Sequence, residues 1–317
     1  MKNIALFLLL GLSTISHAQA VENIDTISID DYKMRTYYLP SKLNEISALE
    51  YETEDKNKAT FWGLNDSGNK PELYRFDAND GTIINTISIS NSPNVDWEEI
   101  STDKNRIYFA DFGNNNGNRK DLSIYFIEKK SIDYSKPYQE LKAQKIEFYY
   151  PEQTQFNVKG LKTNFDAEAF FVYDNLIHIF TKEWSNLATT HYTIPIDTSK
   201  KWAAKKIETF KTNYAVTAAY IDSDVHSSTQ GIYLLGYTKE ALSFINWFAL
   251  PKDNNHLFFS SEVKKISLPL GFTTQLGQLE GISVLPTTNE ICVSGEEFNF
   301  KGFYVKQVVH CINNFTK

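Results

Sequence analysis

Cysteine occurs only at Cys292 and Cys311, and no cluster of His and Cys offers a zinc site. Lys and Arg, 32 against 39 Asp and Glu for a net charge of −7, are nowhere gathered into a stripe, which argues against nucleic acid as a partner. Almost no segment shows a helical period. Glycine (14) and proline (9) are sparse, whereas 18 Tyr, 22 Phe and many β-branched residues favour sheet. There is no Gly-rich phosphate cradle, no Ser-His-Asp phrase and no zinc signature. Apolar runs are short except at the start, where Lys2, an apolar stretch from Ile4 to Leu12 and small residues up to Ala20 read as a signal peptide over 1–20, cut after Ala18 or Ala20. That run is too short to span a bilayer, and no Cys follows it to accept lipid. The expectation is an exported chain, periplasmic or secreted, whose mature part, 21–317, forms one domain of roughly 295 residues. In such a compartment the two cysteines are expected to pair, with two packed thiols as the other reading.

What is present is a repeat. The stretch "VDWEEIST" puts Glu98 and Glu99 side by side at the start of a strand-like run, where alternation sends neighbouring side chains to opposite faces. Related phrases begin at Ile46, Ala167, Val216 and Leu279. Each has an oxygen-bearing residue after an apolar or small one, then a mostly apolar strand. Aligned, that position reads Ser47, Glu98, Glu168, Thr217, Glu280, at intervals of about 50 to 70 residues. Three further strand-like segments follow each of the first four phrases. Four strands per unit is the plan of a β-propeller blade, so the fold class is all-β, a five-bladed β-propeller. The last unit has only three strands, and "NIDTISIDDY", near residues 23 to 32, is expected to supply the fourth and close the ring. A six-bladed propeller remains the alternative, with its extra unit in the 70-residue second interval.

Inner strands of a propeller line its axis, so the aligned column should converge there. Three glutamates at one height call for a cation, and the all-oxygen set of Ser47, Glu98, Glu168, Thr217 and Glu280 suits Ca²⁺. Glu99 is then expected to face away, into the sheet interface or a neighbouring blade's flank. The order Ser, Glu, Glu, hydroxyl, Glu resembles the central calcium site of the apyrase-type calcium-activated nucleotidases, with Thr217 where that family carries Ser. The runs at Asn65, Asp96 and Asp111 also resemble exported bacterial propellers and, more loosely, phytase-like and esterase-like ones.

Second-strand ends should rim the channel mouth, placing there Asn65, Asp66, Asp111, Asn114, Lys182, Glu183, Tyr237, Lys239, Glu296 and Glu297. Asp66 and Asp111 are the candidate bases, and Asn65, Asn114, Lys182, Glu183, Glu296 and Glu297 form a candidate ligand-binding rim. The loop Asp111 to Lys120 is a tight surface turn that could also offer amides to a sugar or peptide. His178 and His191 fall on strands, where core or surface roles outweigh catalysis. Two functions follow: a calcium-stabilised binding module for a small polar ligand or an extracytoplasmic protein, and a calcium-dependent hydrolase of phosphoanhydride, phosphoester or ester bonds. Few cations at the rim speak against holding a polyphosphate.

Overall fold

The computed structural model describes residues 24–316 apart from 53–57, 157–160, 225–226, 228–229 and 254; the segment read as a signal peptide lies outside the described residues. Five antiparallel sheets form a ring, so the five-bladed propeller is the fold and the six-bladed alternative is excluded. The first blade runs outward from Glu50–Glu52 through Thr60–Leu64 and Glu72–Asp77 to Ile83–Ile89. The second is Trp97–Thr102, Arg106–Asp111, Ser123–Glu128 and Gln144–Tyr149. The third is Ala167–Tyr173, Leu176–Thr181, Thr189–Pro195 and Lys205–Phe210. The fourth is Ala215–Asp222, Gly231–Tyr237, Leu242–Ala249 and Lys265–Phe272. The fifth is Gln278–Leu285, Glu290–Glu296 and Val308–Asn313, completed on the outside by Met34–Tyr38.

Because each sheet packs a neighbour on both faces, its strands are apolar on both faces and the core is divided. Five buried apolar clusters result, one per blade interface. Between the second and third blades, for instance, Phe112 packs edge-on against both Phe148 and Phe170. Such burial contributes on the order of 1.5–3 kcal/mol per large side chain, and here it holds blade to blade.

The closing strand is not the one expected. Met34–Tyr38 pairs antiparallel with Val308–Asn313, while Asp25–Thr26, inside the segment expected to close the ring, pairs parallel with the outer strand of the fourth blade. Its two paired residues are too few to complete a blade. Met34–Tyr38 has five in register, and Arg35 at its start forks onto the Glu290 carboxylate of the second strand (Nε–Oε1 3.1 Å). The two-residue pairing has another role. Tyr138–Leu141 and Trp202–Ala203 likewise add in parallel to the outer strands of the first and second blades. All three clasp the outer strand of a neighbouring blade, shielding edges that would otherwise offer unpaired backbone groups.

Cys292 and Cys311 face each other across the second and third strands of the fifth blade, Cα atoms 4.0 Å apart, and form a disulfide. Between those two strands lies a small hairpin, Phe298–Phe300 with Phe303–Val305.

Two truncations separate the roles of the N-terminal segments. Starting the chain after Lys33 should leave a closed, monomeric ring with a lowered melting temperature. Starting it after Leu39 bares the edge of Val308–Asn313 and should give aggregation. Size-exclusion chromatography alongside thermal melting checks this, and identical behaviour of the two proteins would contradict the assignment of the closing strand.

Candidate functional site

Every inner strand carries one extra residue at its start. The pairing skips from Ala167 to Ala169, from Val216 to Ala218 and from Leu279 to Gly281, leaving Glu168, Thr217 and Glu280 unpaired. In the second blade Trp97 pairs Asp111 and Ile100 pairs Phe109, so Glu98 and Glu99 together oppose Ala110. In the first, Ile46 bridges Asn65 and Glu50 pairs Trp62, again one residue too many. These are β-bulges, which re-aim side chains that strict alternation would place otherwise. The column found in the sequence is thus a column of bulges.

The bulge corrects the expectation for Glu99. Instead of turning into a sheet interface, its carboxylate reaches across the ring: Oε1 accepts from Ile100 N (3.0 Å) and Oε2 from Ala219 N of the fourth blade (3.4 Å), with Leu49 N of the first blade adding a third bond. Fully buried, it is pushed well above the usual carboxylate range by desolvation, against those backbone bonds.

Glu98, Glu168 and Glu280 all line one cavity of about 360 Å³ at a channel mouth, together with Asp66, Asp96 and Lys182. The two hydroxyls of the column are engaged elsewhere. Ser47 Oγ donates to the Glu98 carbonyl (2.6 Å) and lies 3.4 Å from Glu98 Oε2; Thr217 Oγ1 donates to the Leu279 carbonyl (2.8 Å). Each pins its blade to the next. A side-chain cation already stands among the glutamates, since Lys182 Nζ is 2.5 Å from Glu168 Oε2 and packs over the rings of Trp184 and Tyr237. Burial alone would lower the Lys182 ammonium, but Glu168, with Tyr237, Glu280 and Asp166, holds it well above its usual range. Burial pushes Glu280 up, against the charge of Lys182 and the bond from Gln278 Nε2 (2.5 Å).

On the other side of the cavity three carboxylates gather. Asp66, Asp96 and Glu98 each present an oxygen within 4.8 Å of the others. Burial, then the charges of Asp66, Glu168, Asp96 and Asp166, pushes Glu98 well above its usual range. Gly113 closes this pocket from behind, and a Cβ there would fall onto Glu98 Oε1 and the Asp96 carboxylate. Sequence reasoning missed Asp96 as a member, although it stands in the quoted phrase, and it missed Gly113. The signal was the repeat itself: Asp66 and Gly113 both follow a second strand, where loops meet the mouth.

The remaining rim residues divide. Asn114 lines the cavity and joins two blades, its N–H donating to Asp166 Oδ1 (2.6 Å) and its Nδ2 to the Phe165 carbonyl (3.0 Å). Asp111 is bound by Arg119 (2.8 Å) and accepts from Asp96 N (3.1 Å). Burial raises it, with Arg119 pulling against that. Glu183 is buried among the hydroxyls of Thr181 and Thr190 and the amide of Asn186. Asn65 Nδ2 bonds the Lys42 carbonyl (2.8 Å). Glu296 is half-buried near the acids, raised by burial and then by Glu280 and Asp66, whereas Glu297 and Lys239 are exposed. His178 and His191 are buried in the third blade, stacked and 2.9 Å apart (Nδ1 to Nε2).

No protein-family model matches the sequence, and no curated protein matches it. Among solved structures, a putative oxidoreductase (glucose dehydrogenase) from Thermus thermophilus is similar at 7% identity and TM-score 0.46, over 88% of this chain and 100% of that one. A GH43 β-1,3-galactosidase with galactodeoxynojirimycin is similar at 10% identity and TM-score 0.46, over 84% and 90%. A member of the DUF4221 family from Bacteroides vulgatus follows at 10% and 0.41, over 89% and 96%. At these identities and scores the likenesses assign no activity.

Replacing Lys182 by Met strands Glu168 in the cavity wall and should cost about 3–5 kcal/mol at pH 8, as for other buried pairs broken from one side. A carboxyl whose folded pKa lies above its unfolded value favours folding at low pH and loses that contribution as pH rises through the folded value. Burial holds the Glu168 carboxyl well above its usual range, so lowering the pH toward 5 favours its neutral form and the loss should shrink. Denaturant unfolding at the two pH values measures this; equal losses would mean that Lys182 acts through packing rather than charge.

Proposed function

We propose that the protein is an exported propeller that holds one Ca²⁺ at the channel mouth and binds a polar ligand or an extracytoplasmic protein around it. The observation that carries this reading is the gathering of Asp66, Asp96 and Glu98 within 4.8 Å in a largely buried pocket. The donor set fits: it is oxygen only, with no His or Cys among the described residues of the cavity lining, which suits a hard cation. Gly113 lets the Glu98 and Asp96 carboxylates close against the backbone, where a Cβ would collide with both. Asp66, Asp96 and Glu98 would hold the ion, with Ser47 beside Glu98, and water would complete the shell. Glu168 and Glu280, the other column glutamates, lie in the same wall with Lys182 as their counter-charge. Bound there, calcium would neutralise the three acids and leave positions open to ligand oxygens.

A ligand would meet Asn115, Asn116 and Asn118 of the loop after the second blade's second strand, and the Trp184 and Tyr237 rings opposite. Amides and aromatic faces suit a sugar or a peptide better than a polyphosphate. The cavity's two cations are engaged, Lys182 by Glu168, and Arg119 by Asp111 and the Gly113 carbonyl. Hydrolysis with Asp66 as base and calcium polarising the substrate is therefore the weaker reading, and Asp111 would not be free to serve it. Export is supported by the signal-like start and by the Cys292–Cys311 disulfide; no helix among the described residues is long and apolar enough to cross a membrane.

After chelation, adding calcium to a hundredfold excess over Kd should stabilise the protein by about 2.7 kcal/mol. Asp96→Asn and Glu98→Gln should each remove most of that gain. Glu99→Gln, bonded to backbone on the axis, should keep it. No calcium response in the parent, or an equal loss in Glu99→Gln, would reject the site. Calcium-dependent turnover of nucleotides, phytate or simple esters would instead favour the hydrolase.

A further inference from the structure

The opposite channel mouth holds a second cavity of about 510 Å³, lined by the far ends of the inner strands. Three residues beyond each bulge position stand Glu50, Ser101, Phe171, Tyr220 and Ser283. In the second and fifth blades this position is a serine whose hydroxyl accepts a backbone N–H of the next blade: Val172 N to Ser101 Oγ (3.1 Å) and Tyr51 N to Ser283 Oγ (3.0 Å). Glu50 does the same work with one oxygen, Oε1 accepting Thr102 N (3.0 Å) and Thr102 Oγ1 (2.9 Å). A serine suffices for that bond elsewhere in the ring. The second oxygen of Glu50 has no hydrogen-bond partner among the described residues, although the residue is only 8% exposed and lines the cavity.

Where the third and fourth blades break the pattern of pins, they put aromatic rings into the wall, Phe171 and Tyr220, and Tyr51 joins them from the first. Asp222 and Asp224 add two further carboxylates, and no Lys or Arg is among the described residues of the lining. A carboxylate oxygen left over inside an acidic, aromatic-walled cavity has a complementary chemistry: a cation with an apolar surface, which rings attract by their faces and acids by charge. Asp222, Asp224 and Ser227 also put oxygens into the wall, so a metal ion is the competing guest, whereas the rings favour the organic cation. Burial pushes the Glu50 carboxyl up to about 7, against the bonds from Thr102, so a cationic guest would also favour its ionised form.

We propose that this mouth is a binding site for an organic ammonium or guanidinium group, accepted by Glu50 and Asp222 and packed against Tyr220, Phe171 and Tyr51. The same head group is carried by a free polyamine and by a lysine side chain, so spermidine and a Lys-Gly-Lys peptide serve as separate titrants, with calcium chloride as a third. Calorimetric titration of the full mature chain should show saturable one-to-one binding of at least one amine. Glu50→Gln should weaken it at least tenfold, and Glu98→Gln, at the other mouth, should leave it unchanged. Glu50→Ser copies the acceptor of two other blades and keeps the pin without the charge, so it should fold and fail to bind. Tyr220→Leu should weaken binding with Glu50 intact. Spermidine binding alone would mark a small-molecule site, and peptide binding a protein-recognition site. Absence of amine binding, undiminished binding in both Glu50 variants, or Glu50-dependent binding of calcium alone would overturn the proposal.

Discussion

Bringing Glu98, Glu168 and Glu280 to one buried cavity places three carboxylates where water cannot separate their charges, and the architecture around the axis answers that repulsion. On one side the answer is covalently attached: Lys182 comes up from the end of the third blade's second strand onto Glu168 and within reach of Glu280's charge. On the other side Asp66, Asp96 and Glu98 face one another with their repulsion expressed as a raised Glu98. A buried cluster of that kind stays protonated or takes up a cation. The functional reading follows from the gathering of those three acids.

The rest of the fold holds that arrangement in place. Bulges at the head of all five inner strands turn the column inward, and side-chain bonds such as Ser47 to the Glu98 carbonyl and Thr217 to the Leu279 carbonyl tie each head to its neighbour. Further out, five apolar clusters fill the blade interfaces, and short parallel strands clasp three of the outer edges. The ring is closed by backbone pairing of Met34–Tyr38 rather than by covalent linkage, and Arg35 on Glu290 fixes that strand beside the Cys292–Cys311 bridge.

Repetition made the blade count and the column legible in the sequence, because a phrase that recurs five times at blade spacing marks a ring of like sheets. What repetition could not show was local geometry. Strict alternation sent Glu99 outward, yet the extra residue in the bulge keeps both Glu98 and Glu99 toward the axis, and Glu99 ends on amides of other blades. The closing strand was misplaced because outer strands resemble one another in composition and only register distinguishes a pairing of two residues from one of five. At the mouth, Asp66 and Lys182 follow second strands and line the cavity, whereas Asp96 was passed over because it precedes the aligned column and has no counterpart in every blade. Glu50 escaped notice for the converse reason: its place in the ring is filled twice by serine, and only the spare oxygen sets it apart.

Anomalous diffraction from crystals grown after chelation and then soaked in calcium tests the central claim most directly. The account predicts a single ion peak among Asp66, Asp96 and Glu98, in front of Gly113, with Lys182 still on Glu168. A peak between Glu168 and Glu280 with Lys182 displaced, or no peak in the cavity at all, would contradict it.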